Sequence, residues 1–310
     1  MNTYLYTYTA HEDEQDLCRL ELRSLLDIDP ISDTNKLVLS TKSIDPSRSP
    51  FIHQRLTIIH TAENLDTLMY QMASIELSGA TFKVKYIKES EDAPSYEEQR
   101  AIERKLGARL VGKADMRQPE RVFGVAKHRG TWMFGEMKQS EAVWLHHNDK
   151  PQHYSTALST RLARAVVNIA VPEPQHVRVI DPCCGIGTVL IEALSMEMDI
   201  VGRDINPLAA RGARTNLAHF GYPNVVTLGD MKDITDHYDV AIIDMPYNLC
   251  SKLSPEEQQA MLSSARRFTD KVVIVTAEPI DTSVIQSGFR MIERCQVRKG
   301  TFVREVIVAE

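Results

Sequence analysis

Val177–Thr188 reads Val-Arg-Val-Ile-Asp-Pro-Cys-Cys-Gly-Ile-Gly-Thr. A mostly apolar stretch runs into an acidic turn, two glycines follow, and Val189–Met198 continues as an apolar helical run. A strand that ends in a glycine-rich turn and opens a helix lets backbone N–H groups approach a polar or anionic ligand closely. A lone Gly-x-Gly also occurs in ordinary strand-to-helix turns, so the rest of a site must be found downstream.

Downstream, the chain repeats the strand–helix rhythm. Strands are expected at Asp199–Arg203, Asn224–Leu228, Asp239–Ile243 and Val272–Thr276. Helices are expected over Pro207–Phe220 and from the capping box Ser254-Pro-Glu-Glu257 to Phe268. Phe289–Val297 and Phe302–Ala309 flank Arg298-Lys299-Gly300 as a terminal hairpin. Continuous apolar strands alternating with helices predict an α/β, doubly wound, mainly parallel sheet with an antiparallel edge.

The region before it differs. Strands at Thr3–Thr9, Lys36–Ser40, Arg55–Ile59 and Thr81–Ile87, with helices at Asp16–Leu26, Asn64–Ile75 and Tyr96–Leu106, predict smaller α+β structure. Glu120–Lys127 and Thr131–Lys138 form a hairpin, in which Trp132 and Phe134 are read as core. The expected division is 1–76, 77–140, a linker at 141–157 and a last domain over 158–310. The linker's His146 and His147, with His153, lack metal-ligand spacing and are read as exposed loop histidines.

Net charge is −6 over 310 residues, yet Arg100–Lys138 alone carries a balance of +6, leaving −12 on the rest. A basic module on an acidic body suits a protein that grips phosphate with one part and does something else with the other. Arg109, Lys113, Arg121, Lys127 and Arg129 are the candidate phosphate contacts. The five cysteines form no C-x-x-C pair, which argues against a disulfide framework or a zinc site. No stretch suits a membrane span and Met1–Ala10 does not read as a secretory signal, so a cytoplasmic protein without membrane or metal partners is expected.

Asp181, Asp204, Asp230 and Asp244 end four successive strands, whose carboxyl ends line one crevice in an open parallel sheet. The third glycine of a dinucleotide turn and the Gly-Lys-Ser/Thr of a phosphate loop are both missing. Several carboxylates around a glycine turn suit a cationic ligand with a ribose and an adenine, and S-adenosylmethionine fits. Gly185 and Gly187 would make room for its methionine part, Asp204 would take the ribose hydroxyls and Asp230 the adenine amino group. Cys183, Thr188, Ile205 and Met231, beside these positions, complete the expected cofactor set with Asp181. In Asp244-Met245-Pro246-Tyr247, a carboxylate and a backbone carbonyl would accept the two N–H bonds of an exocyclic purine amine. Its lone pair would then localise toward the methyl donor, with Tyr247 stacked on the base.

Leu158–Ala170, Asp181–Ala193, Gly202–Asn206 and Asp244–Tyr247, in that order and spacing, resemble the THUMP-domain RNA methyltransferases that make N2-methylguanosine in tRNA. The resemblance implies a Rossmann-type S-adenosylmethionine fold, with Asp181, Gly185 and Gly187 in the cofactor turn and Asp204 and Asp230 on ribose and adenine. It puts Asp244 and Tyr247 on the target base and a THUMP-like domain on the tRNA, commonly at its acceptor end. Met245 stands where the family's fourth motif usually has a proline, which keeps the carbonyl and loses proline's φ restriction. Adenine-N6 methylation, glutamine amide methylation and a catalytically silent RNA-binding protein are the competing readings.

Overall fold

The computed structural model describes residues 2–29, 36–89, 94–154, 157–246 and 253–310. Contacts divide the chain into two compact units, residues 1–9 with 26–141 and residues 10–25 with 142–310. No helix among the described residues is long and apolar enough to cross a membrane.

In chain order the first elements are β1 (Tyr4–Tyr8), α1 (Gln15–Leu26), β2 (Leu37–Ser40), β3 (Ile52–Ala62), α2 (Leu65–Gln71), β4 (Phe82–Ile87), α3 (Tyr96–Gly107), β5 (Arg121–His128) and β6 (Thr131–Gln139). The first unit's strands form one sheet in the order β2-β1-β3-β6-β5-β4. Only β4 and β5 pair in parallel, and α3 makes the crossover that parallel neighbours need. Phe123 and Phe134 stack at 5.5 Å in its core, and Trp132 packs at that core's margin. The division expected at 76/77 is absent from this sheet, because β3 pairs with β6 along residues 54–62. That pairing also makes β3 longer than the apolar run Arg55–Ile59: ladder hydrogen bonds carry its polar ends.

The second unit contains α4 (Thr160–Ala170), β7 (Arg178–Asp181), α5 (Thr188–Ser195), β8 (Asp199–Asp204), α6 (Pro207–His219), β9 (Val226–Leu228), β10 (Tyr238–Asp244), α7 (Pro255–Phe268), β11 (Thr269–Thr276), α8 (Asp281–Gln286), β12 (Met291–Lys299) and β13 (Phe302–Ala309). Its seven-stranded sheet runs β12-β13-β11-β10-β7-β8-β9. The five strands from β11 to β9 are parallel, and β13 pairs antiparallel with β11 and β12. Ala241–Ile243 and Val272–Val275 are fully buried, as expected of parallel strands covered on both faces. The strand order reverses between β7 and β10, the switch point where such sheets bind ligands.

Two segments depart from the sequence expectation. α1 belongs with the second unit, held by polar pairs that no local pattern reveals. Asn168 Nδ2 donates to the buried Glu21 at 2.6 Å, and Arg161 pairs with Glu14 at 2.7 Å. The expected linker contains a 3-10 helix, Val143–Asp149, with Trp144 and His147 buried. His147 Nδ1 lies 2.8 Å from Glu192, which also accepts from Arg164 at 2.9 Å. Only His146 and His153 are the exposed histidines expected there. α8 carries no side-chain cap, which is why the sequence did not announce it.

Candidate functional site

A cavity of about 1000 Å³ opens at the carboxyl ends of β7, β8 and β10. Asp181, Asp204, Asp230 and Asp244 all line it, so the four strand-end acids share one space.

The turn after β7 is built by backbone bonds. Cys183 N–H donates to Asp181 at 3.2 Å, Cys184 N–H to the Arg203 carbonyl at 2.9 Å and Gly187 N–H to the Cys184 carbonyl at 2.8 Å. Gly185 and Gly187 both have positive φ, at +52° and +81°. Gly187 does not line the cavity: a Cβ there would meet Ala213 on α6 at 3.2 Å. Its glycine therefore serves backbone conformation and close helix packing rather than room for a ligand. Thr188, Cys183 and Met231 line the cavity, and Ile205 lines it from a position that leaves it two-thirds exposed.

Asp204 is bonded through both oxygens, accepting from Gly185 N–H at 2.7 Å and from Asn206 N–H at 2.8 Å. It thereby ties β8 to the glycine turn. Burial still pushes its carboxyl above the usual range, against the pull of those amides. Burial likewise pushes Asp181 well up, with the charges of Asp244 and Asp204 adding to it. Asp230 caps the short helix Met231–Asp233 by accepting from Lys232 N–H at 2.9 Å.

Asp244 is different. Its Oδ1 is buried and has no hydrogen-bond partner among the described residues. Burial pushes its carboxyl up to about 7, with the Arg304 guanidinium pulling the other way. A second polar atom in the cavity wall, Thr188 Oγ1, is also buried without a partner. Both atoms belong to residues that line the cavity.

Met245 replaces the proline's constraint with a bond. Its N–H donates to the Val275 carbonyl at 2.8 Å, extending the β10–β11 ladder one residue past Asp244, and its side chain is buried in the core beside that sheet. A proline has no N–H to give. Pro246 lines the cavity and is exposed; Tyr247 lies outside the described residues.

Both thiols of the turn are held protonated. Burial, with the surrounding aspartates, pushes both Cys183 and Cys184 well up. A protonated buried thiol is inert as a nucleophile, which agrees with their reading as packing residues.

Of the basic candidates in the first unit, Arg109, Lys113, Lys127 and Arg129 are exposed. Arg121 is occupied: it pairs with Glu136 at 2.6 Å and donates to the Glu76 carbonyl at 2.9 Å. Tyr154, Glu256 and Met261 also line the cavity. Tyr154 stands in a loop and the other two on α7, and neither motif nor spacing marks them in the sequence.

Residues 148–302 match the UPF0020 family, described as an RMKL-like methyltransferase domain. The chain is 30% identical over 172 residues to a tRNA (guanine(10)-N2)-dimethyltransferase of Methanothermobacter thermautotrophicus, covering 51% of this chain and 50% of that protein. It is 26% identical over 156 residues to the protein of the same name from Pyrococcus abyssi, covering 47% and 46%. The matches thus span about half the length of these curated relatives. TrmN from Thermus thermophilus shares the fold, with a TM-score of 0.52 at 18% identity over 99% of both chains. With half of its length matched and its strand-end acids gathered at one cavity, the chain belongs to the RMKL-like methyltransferase domain family.

Proposed function

We propose that this protein transfers a methyl group from S-adenosylmethionine to the exocyclic N2 amine of a guanosine in tRNA. The carrying observation is Asp244, a carboxylate that lines the cavity and whose Oδ1 is buried with no hydrogen-bond partner among the described residues. The cavity fits the cofactor on its own terms. Its wall is acidic, its volume suits a nucleoside-sized ligand, and the orphaned Thr188 hydroxyl offers a polar contact. When bound, the cofactor supplies an electrophilic sulfonium methyl group. Asp181, Cys183, Gly185 and Thr188 then bound its methionine end; Asp204 and Ile205 meet its ribose, Asp230 and Met231 its adenine. Gly187 shapes the turn from behind.

At the other end Asp244 Oδ1 accepts one N–H of the target amine, and the carbonyl of Met245 or Pro246 accepts the other. Both acceptors make the nitrogen lone pair more available and stabilise the positive charge that grows on it during transfer. The names of the two curated relatives support guanine N2 over adenine N6 as the acceptor. The first unit acts as the THUMP-like tRNA grip, through Arg109, Lys113, Lys127 and Arg129, in the cytoplasm; Arg121 has the weakest case.

The test is transfer of labelled methyl from S-adenosylmethionine to unmodified tRNA, after calorimetry has shown that the cofactor binds. Label in the tRNA is expected. Binding without label would favour the silent RNA-binding reading, and no binding heat would sink every methyltransferase reading.

A further inference from the structure

The cavity is a poor host for a polynucleotide backbone. Among the described residues six carboxylates line it, Asp181, Asp204, Asp230, Asp244, Glu256 and Glu257, against one cation, Lys232. A base can enter such a space, whereas its phosphates are repelled and need cations outside the rim. The register of the sheet edge supplies them.

β11 ends at Thr276, which pairs with Glu305 of β13. Asp244 pairs with Val275 one strand further in, so Thr276 marks the level of the cavity floor. The β12–β13 hairpin continues beyond that level, through the pairs Val297–Arg304, Arg298–Val303 and Lys299–Phe302. At ~3.3 Å per residue these three pairs project on the order of 10 Å past the sheet, on the edge where the cavity opens. Arg298 and Lys299 at the tip are exposed, and among the described residues neither has an ion pair. Arg294, lower on the same strand, is already paired with Asp281. Arg304 guanidinium stands close enough to Asp244 to act on its carboxyl, which ties the hairpin to the rim. The sequence marked Arg298-Lys299-Gly300 only as a turn.

We propose that the tip of this hairpin, through Arg298 and Lys299, binds the phosphate backbone flanking the target nucleotide while its base sits in the acidic cavity. The inference rests on the reading of this site as an RNA base methyltransferase. It adds a nucleic-acid contact on the catalytic unit itself, separate from the basic segment Arg100–Lys138.

The experiment compares the full-length protein with its Arg298→Glu/Lys299→Glu variant, and with Arg290→Glu at the opposite end of the same hairpin. Binding of an unmodified tRNA transcript is followed by fluorescence anisotropy from 50 to 300 mM salt, and cofactor affinity by calorimetry. The tip variant is expected to bind tRNA about tenfold more weakly at low salt. Its log–log salt slope should be shallower by about 1.5, from two lost phosphate contacts at ~0.7–0.9 each. Cofactor affinity and melting temperature should be unchanged, and Arg290→Glu should bind like the wild type. An unchanged slope in the tip variant, or an equal loss in Arg290→Glu, would overturn the inference. A wild type that binds tRNA through the tip but transfers no methyl would overturn the proposed reaction and leave the contact standing. No tRNA binding at all would overturn both.

Discussion

Asp204 and Asp244 end two strands of one sheet, line one cavity and are both pushed up by burial, yet they are wired oppositely. Asp204 accepts at one oxygen from Gly185 N–H of the glycine turn and at the other from Asn206 N–H just beyond its own strand. Asp244 has its Oδ1 buried with no hydrogen-bond partner among the described residues. A carboxylate saturated by its own backbone is mainly a brace, with its remaining lone pairs available to a hydroxyl. A buried carboxylate oxygen without a protein donor is suited to a ligand that brings one. In the reaction proposed above, that difference assigns Asp204 to cofactor organisation and Asp244 to chemistry on the target base.

Deleting each carboxylate in turn should give opposite results. Asp244→Ala should lower kcat for methyl transfer by ~10²–10³, the usual loss for one well-placed group that stabilises transition-state charge, with the cofactor Kd within about threefold of wild type. Asp204→Ala should do the reverse, raising the cofactor Kd by ~10–100-fold as the turn loosens. Stability should drop too, by ~1–3 kcal/mol for the amides left unsatisfied, read by calorimetry and urea titration. If both variants fail in the same step, the two acids are not divided as the wiring says.

How much of this was legible in the sequence follows the same line. Strand-end acids, the glycine turn and the capping box at Ser254 are local patterns, and the structure puts them on the expected elements. The partners of each acid were not legible, because Gly185 meets Asp204 and Met245 meets Val275 only through folding. For the same reason the sequence groups α1 with its neighbours although Glu21 is bonded to Asn168, and His147 reads as an exposed loop histidine although it is buried and bonded to Glu192. Local periodicity tells which face of an element is apolar; it does not tell which distant polar group will meet it.

Met245 sharpens the account at smaller amplitude. Met245→Pro would restore the residue more usual in the motif, but it removes the N–H that bonds to Val275. We expect a loss of ~1–2 kcal/mol in urea titration and a several-fold lower kcat, with no gain from the stiffer ring. A more stable and equally active variant would show that the hydrogen bond is dispensable.

The smallest effect concerns pH. Burial lifts the folded-state value of Asp244 above its unfolded one, near 4. The stability associated with its neutral form is therefore full below pH ~4 and is lost as pH rises through about 7. Asp244→Asn should consequently melt a few degrees higher than wild type at pH 8, with the gain fading toward pH 5. An advantage independent of pH would mean that the carboxyl does not titrate in this range.

The most direct test of the central claim is nucleoside mass spectrometry of unmodified tRNA after reaction with the cofactor-saturated wild type and Asp244→Ala. The account predicts N2-methylguanosine from the wild type and almost none from the variant at equal cofactor occupancy. Methyl on another nucleoside, or equal N2-methylguanosine from both proteins, would contradict it.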